Sequence, residues 1–239
     1  MTWSLIARDA SGAFGIAIAS KFFAVGALCP HIRSQVGAVS TQALVNPLYA
    51  TPALDALARG MTPQQIVAQL TQADEGRAHR QLHLIDASGS SAAHTGAACI
   101  DWCGHTSGPG YSVAGNMLAG PQVIAATAEA YLAHPEQAFA ERLITALAAG
   151  ESAGGDKRGK QAAALLIYST EDYCALDLRV DDHAEPIQEL RRLYCKSLER
   201  YQPFCACLPS RERPVGITDR RLIEAEVERF QAARAGTPT

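Results

Sequence analysis

The second residue of the chain is a threonine, and removal of Met1 would leave on it both a hydroxyl nucleophile and an α-amine. A hydroxyl attacks a carbonyl only after a base takes its proton. An α-amine, with a reference pKa of about 7.7 to 8.0, suits that task near neutrality. Many chains begin Met-Thr with no catalytic consequence, so the reading depends on what else is gathered around Thr2. The segment Ala19-Ser20-Lys21-Phe22-Phe23-Ala24-Val25-Gly26 offers the first partners. If the first two strands form a hairpin, Ser20 and Lys21 return to the start of the chain. There a lysine could hold a nucleophile deprotonated or offset anionic charge, or it could be a solvated strand-end residue. Arg33 is a further candidate cation with the same two readings.

Polar residues that could bind a substrate recur along the chain. In Thr41-Gln42-Ala43-Leu44-Val45-Asn46-Pro47 the amides of Gln42 and Asn46 can hydrogen-bond a polar ligand, or cap the helix that follows. In Gly115-Asn116-Met117-Leu118-Ala119-Gly120 the glycines let backbone N–H groups face a ligand, and Asn116 could complete an oxyanion hole. His94 and His105 could orient substrate or be hydrogen-bonded structural histidines. In Gly154-Gly155-Asp156-Lys157-Arg158-Gly159 a fixed Asp156–Arg158 pair could grip a carboxylate or carbonyl, or be a structural ion pair. The Lys-Ser/Thr ending of a phosphate-binding loop is absent there. Cys99, Cys103 and His105 lack the paired Cys-x-x-Cys spacing and a fourth ligand, so no metal and no cofactor is expected. A thiol-centred chemistry would fall on Cys99 and Cys103.

The elements that must position these residues follow from hydrophobic period. Apolar runs at 3–8 and 14–20, separated by Asp9-Ala10-Ser11-Gly12, predict a hairpin, and 35–41 a third strand. Residues 52–59 and a stretch opening at Thr62-Pro63 carry helical period. Short strands are predicted over 81–86, 91–95, 102–107 and 111–114, helices over 121–132 and 135–149, and strands over 162–168 and 174–180. A helix over 186–200 follows. Runs of strands broken by helix pairs predict an α+β protein of four layers, αββα, with two antiparallel sheets inside; one large sheet is the alternative. Residues 1–200 form the expected domain. Beyond Tyr201 the prolines, Cys205 and Cys207 lead to a charged helix over 219–234, read as an appended tail, 201–239.

Composition limits the partners. Hydrophobic residues make up 48% and charged residues 19%, the balance of a globular protein. The net charge of -3, with scattered Lys and Arg, offers no footprint for nucleic acid or an anionic membrane. Seven cysteines, odd in number and uneven in spacing, read as reduced thiols. With no basic start or apolar leader near Met1, the cytoplasm is the expected compartment.

Taken in order, Thr2-Trp3-Ser4-Leu5-Ile6-Ala7-Arg8-Asp9, Ala19 to Gly26, Thr41-Gln42-Ala43, His94-Thr95-Gly96, Gly115 to Leu118 and Gly154 to Gly159 resemble the bacterial family called domain of unknown function 1028. That family is grouped with the N-terminal nucleophile hydrolases, and the resemblance runs from Thr2 to about Leu193. It implies the four-layer αββα fold and amide-bond hydrolysis through an acyl-enzyme on Thr2, with Ser4 a competing hydroxyl in the same strand. Under this reading Thr2, Lys21 and Asn116 are the catalytic residues. Ser4, Ser20, Arg33, Gln42, Asn46, His94, His105, Asp156 and Arg158 would then bind a small-molecule amide. The superfamily also implies a homo-oligomer. A non-catalytic ligand-binding or structural protein on the same scaffold is the alternative.

Overall fold

The computed structural model describes residues 2–235. Strands β1 (Thr2–Arg8) and β2 (Phe14–Ser20) form the opening hairpin. Its turn is fixed by Asp9, whose Oδ1 accepts from the backbone N–H of Ser11 and Ala13 and from the Ser11 hydroxyl. A second hairpin follows, β3 (Pro30–Arg33) with β4 (Gly37–Ala43). The single strand expected over 35–41 therefore starts later: Gln35 takes a left-handed φ of 60° in the turn, and the chain before it pairs as β3. Helices α1 (Ala50–Ala58) and α2 (Pro63–Ala73) come next, the latter opened by a reciprocal Thr62–Gln65 cap with Pro63 in the first turn.

Strands β5 (Arg80–Asp86), β6 (Ser91–Thr95), β7 (Trp102–Gly108) and β8 (Tyr111–Leu118) precede α3 (Pro121–Ala133) and α4 (Phe139–Ser152). Then come β9 (Ala162–Tyr168), β10 (Leu176–Val180) and α5 (Pro186–Ser197). The strands make two antiparallel sheets. One has six strands in the order β10-β9-β2-β1-β8-β7, the other four in the order β3-β4-β5-β6. Strands β1 and β2 face β4, and β8 faces β5, so the sheets stack. Helices α3 and α4 cover the larger sheet and α1 and α2 the smaller, which gives the four-layer αββα order.

Alternation along each strand sorts side chains between the layers. Leu82, Leu84 and Val39 point toward the helical side, where they pack with Tyr49, Leu54, Leu57 and Ile66. Ile6, Phe14, Ile16, Ala38 and Ile85 fill one part of the space between the sheets. The other part is polar and holds the candidate site.

The chain divides into two compact units that meet between Leu190 and Arg191, inside α5 and ahead of the compositional change at Tyr201. The second unit also contains α6 (Tyr201–Cys205) and α7 (Arg220–Ala235), tied within itself by Arg200 donating to both carboxylate oxygens of Glu224 at 2.8 and 2.6 Å. Among the described residues no helix is long and apolar enough to cross a membrane.

Candidate functional site

Thr2 begins β1, a central strand of the larger sheet, and is paired in register with Asn116 on β8. On its other side the end of β2 brings up Ser20, whose hydroxyl lies 3.1 Å from Thr2 Oγ1. The end of β2 is held in place by Asp156. Its Oδ2 accepts from the backbone N–H of Lys21 at 2.7 Å, and its Oδ1 from that of Arg158 at 2.9 Å. The glycine-rich loop carrying Asp156 is docked on the end of β8 by a Leu118–Asp156 bridge and by Ala119 N–H donating to Gly155 O. Gly115 is required beside Asn116, since a Cβ there would come within 2.5 Å of Leu118 and 3.0 Å of Trp3.

The residues of β1 that face the second sheet are polar at its start, and so are those they meet. Gln42 Nε2 donates toward Gln81 Oε1 at 2.7 Å, Ala114 O at 3.2 Å and Thr2 O at 3.4 Å. All three partners only accept here, so the amide orientation of Gln42 is set and its Oε1 must accept. Ser4 Oγ donates to that oxygen at 2.7 Å. Having spent its one proton, Ser4 accepts from His83 Nε2 at 2.8 Å, which leaves His83 Nδ1 to accept from the Ser112 hydroxyl at 3.0 Å. His83 is thus a neutral imidazole protonated on Nε2. Burial, with His105 as a lesser cause, lowers its pKa from 6.5 to about 3.

Asn116 Nδ2 donates to Gln81 Oε1 at 3.0 Å and to Thr2 O at 3.4 Å, so both of its amide hydrogens are engaged within the protein. The second contact is long and correspondingly weak. Gln81 Nε2 extends the network to Gly115 O and the Thr95 hydroxyl, and Thr95 to His105 Nδ1 at 2.9 Å.

Beside Thr2 lies a cavity of about 320 Å³ walled by Phe22, Cys29, Gln42, Leu44 and Arg80. A second cavity of about 340 Å³ shares Phe22 and Leu44 and adds Ile100, Asn116 and Met117. Ala43 and Met117, which line them, hold left-handed φ angles of 69° and 53°, a conformation uncommon for non-glycine residues. Arg80 is fixed by Asp74 at 3.2 Å and by Leu44 O at 2.7 Å. The Tyr49 hydroxyl, with lesser help from Gly76 N–H, Arg80 and Asn46, holds the Asp74 carboxyl well below the usual range. The Cys29 thiol is pushed up to about 12 by burial, and burial also raises Cys99 and Cys103, so none of the three is poised as a thiolate.

The structure brings together Thr2, Ser4, Ser20, Gln42 and Asn116. Others are occupied elsewhere. Lys21 Nζ is exposed and donates to Lys160 O at 2.9 Å, away from Thr2, and only its backbone N–H, held by Asp156, is near the end of β2. Arg33 pairs with Asp55 at 2.8 Å, and Asn46 caps the turn before α1 while donating to Asp74. His94 bonds Arg77 O, His105 reaches the network only through Thr95, and Arg158 closes on its own neighbour Asp156. Sequence reasoning missed Ser40, Gln81, His83 and Ser112, all fully buried between the sheets.

The fold and site define a two-sheet αββα protein whose first strand carries a hydroxyl residue from a polar inter-sheet layer to the edge of a cavity. Residues 2–190 match the family of unknown function DUF1028, and the chain belongs to it. A crystal structure of a Silicibacter pomeroyi protein of that family is similar with a TM-score of 0.84 at 31% identity, over 91% of this chain and 99% of that one. The ancestral β-subunit Anbu from Yersinia bercovieri aligns at a TM-score of 0.38 and 13% identity, over 82% of this chain and 94% of that one. No protein of curated function matches.

Proposed function

We propose that the protein is an N-terminal nucleophile amidohydrolase acting on a small molecule. The observation that carries this is the placement of Thr2: its hydroxyl meets Ser20 at 3.1 Å, its carbonyl lies 3.4 Å from the amide nitrogens of Gln42 and Asn116, and it borders a cavity large enough for a small ligand. Once Met1 is removed, the Thr2 α-amine takes the hydroxyl proton as Oγ bonds to the substrate carbonyl carbon. The C–N bond then breaks, and the amine returns the proton to the departing nitrogen. Water hydrolyses the resulting ester and regenerates Thr2. Asn116 supplies an oxyanion donor by turning the amide hydrogen now spent on its long contact to Thr2 O, a role worth about 10² to 10³ in rate where such donors have been removed. Lys21 serves through the backbone N–H that Asp156 holds. A cytoplasmic homo-oligomer goes with this reading, and light scattering on the purified protein tests the assembly.

A ligand-binding protein without catalysis is the competing reading, favoured by one observation: Asn116 already spends both amide hydrogens internally. Intact mass before and after exposure to a β-lactone, with Thr2→Ala alongside, separates the two. Loss of Met1 and an adduct that depends on Thr2 supports the hydrolase. Retained Met1 with no adduct removes it.

A further inference from the structure

The two cavities meet along Phe22, Ala43 and Leu44, with Thr2 in one and Asn116 in the other. Because Thr2 and Asn116 are register partners on neighbouring strands, a carbonyl bound between them lies where the cavities join. Each arm of an amide held there then enters a different cavity.

The two linings share an apolar character at Phe22, Ala43 and Leu44. Among the described residues neither contains a carboxylate. Their thiols, Cys29 and Cys99, are kept protonated by burial. Among the described residues Arg80 is the one guanidinium of the first lining, its charge already met by Asp74, and His79 is the one imidazole of the second. An anionic arm would have to compete with that carboxylate, and a cationic arm would find no counter-charge. The walls are Phe22, Leu44 and Ile100, side chains 49%, 61% and 59% exposed at the cavity mouths. Apolar surface left in water around a concave polar centre is the pattern of a ligand site.

Resting on the Thr2 reading, we propose that the substrate is an uncharged amide bearing apolar groups on both sides of the scissile bond, one for each cavity. Each methylene added to an arm gains affinity as it leaves water, about fourfold per group until the cavity is full.

The test uses β-lactones carrying methyl, butyl, hexyl and carboxyethyl substituents, with intact mass following the rate of Thr2 labelling. Wild type is compared with Leu44→Asp and Ile100→Asp, exposed positions whose melting temperatures are recorded. The expected result is labelling that quickens about fourfold per methylene, a carboxyethyl lactone at least about tenfold slower than its alkyl counterpart, and a flattened series in Leu44→Asp. Thr2-dependent labelling that ignores chain length, or prefers the carboxylate, overturns the substrate class while leaving the nucleophile standing. Absence of labelling by every lactone overturns the nucleophile itself, and the substrate class with it.

Discussion

Gln42 and Gln81, register partners on β4 and β5, meet side chain to side chain at 2.7 Å, Gln42 donating and Gln81 accepting. That bond fixes which end of each amide faces which sheet. Through it Gln42 accepts from Ser4 and reaches Thr2 O, while Gln81 accepts from Asn116. Replacing Gln42 with Leu takes from the Ser4 hydroxyl its 2.7 Å acceptor and leaves Gln81 Oε1 with Asn116 as its donor, in a space closed to water. The expected cost is about 2–4 kcal/mol, the penalty for stranding buried polar groups rather than for losing one bond. Urea denaturation measures it; a loss under about 0.5 kcal/mol would mean that water enters this layer and replaces the amide.

His83 makes stability depend on acid. Its pKa falls from 6.5 in the unfolded chain to about 3 in the fold, so between those values the unfolded state binds a proton that the folded state refuses. Its stabilising effect is complete above pH 6.5 and declines as pH drops toward about 3, by about 1.4 kcal/mol per pH unit in mid-window. His83→Gln should remove this dependence, so the stability difference between wild type and variant should change with pH over that range. Parallel denaturation curves for wild type and variant down to pH 4.5, about two units below the reference value, would sink this account.

Ser20 and Asp156 are predicted to separate positioning from stability. Ser20→Ala removes the hydroxyl beside Thr2 Oγ1, with an expected stability loss of about 1 kcal/mol and a fall in Thr2 labelling of about tenfold. Asp156→Ala does more, because the Lys21 N–H loses its acceptor and the end of β2 is released from the loop. A stability loss of about 2–3 kcal/mol should accompany the drop in labelling. If Asp156→Ala labels at the wild-type rate, the loop does not set the position of Ser20.

Much of this arrangement is legible in the sequence, and what is not has a common physical cause. The opening hairpin, the paired helices and the αββα order follow from turn residues and period. Thr2, Ser20 and Asn116 follow from the hairpin and from the family resemblance. Gln81 and His83 escape because Gln81-Leu82-His83-Leu84 alternates polar and apolar, the pattern of a strand with one wet face. Here the polar face is turned inward against a second polar face, Thr2 and Ser4 of β1 with Ser112 and Asn116 of β8. A single strand cannot reveal that its polar face has a partner. The expected roles of Lys21 and Arg33 rest on charge alone, and each cation finds a nearer acceptor, Lys160 O and Asp55, that no spacing rule points to.

Ser4 offers the sharpest discrimination between the two hydroxyls of β1. It lies on the same face as Thr2, but it is fully buried, its proton is spent on Gln42 and its lone pair is taken by His83. A serine beside a neutral imidazole is ordinarily a sign of nucleophilic catalysis. In this site the imidazole presents its N–H to the serine, so it cannot take the serine's proton. Ser4→Ala should therefore keep Thr2-dependent labelling within about threefold of wild type while costing about 1–3 kcal/mol of stability, since Gln42 Oε1 and His83 Nε2–H both lose their partner. Thr2→Ala should do the reverse, abolishing the adduct with little change in melting temperature. Should Ser4→Ala abolish the adduct in a protein that still melts cooperatively, the nucleophile is Ser4, and the imidazole must take the other tautomer.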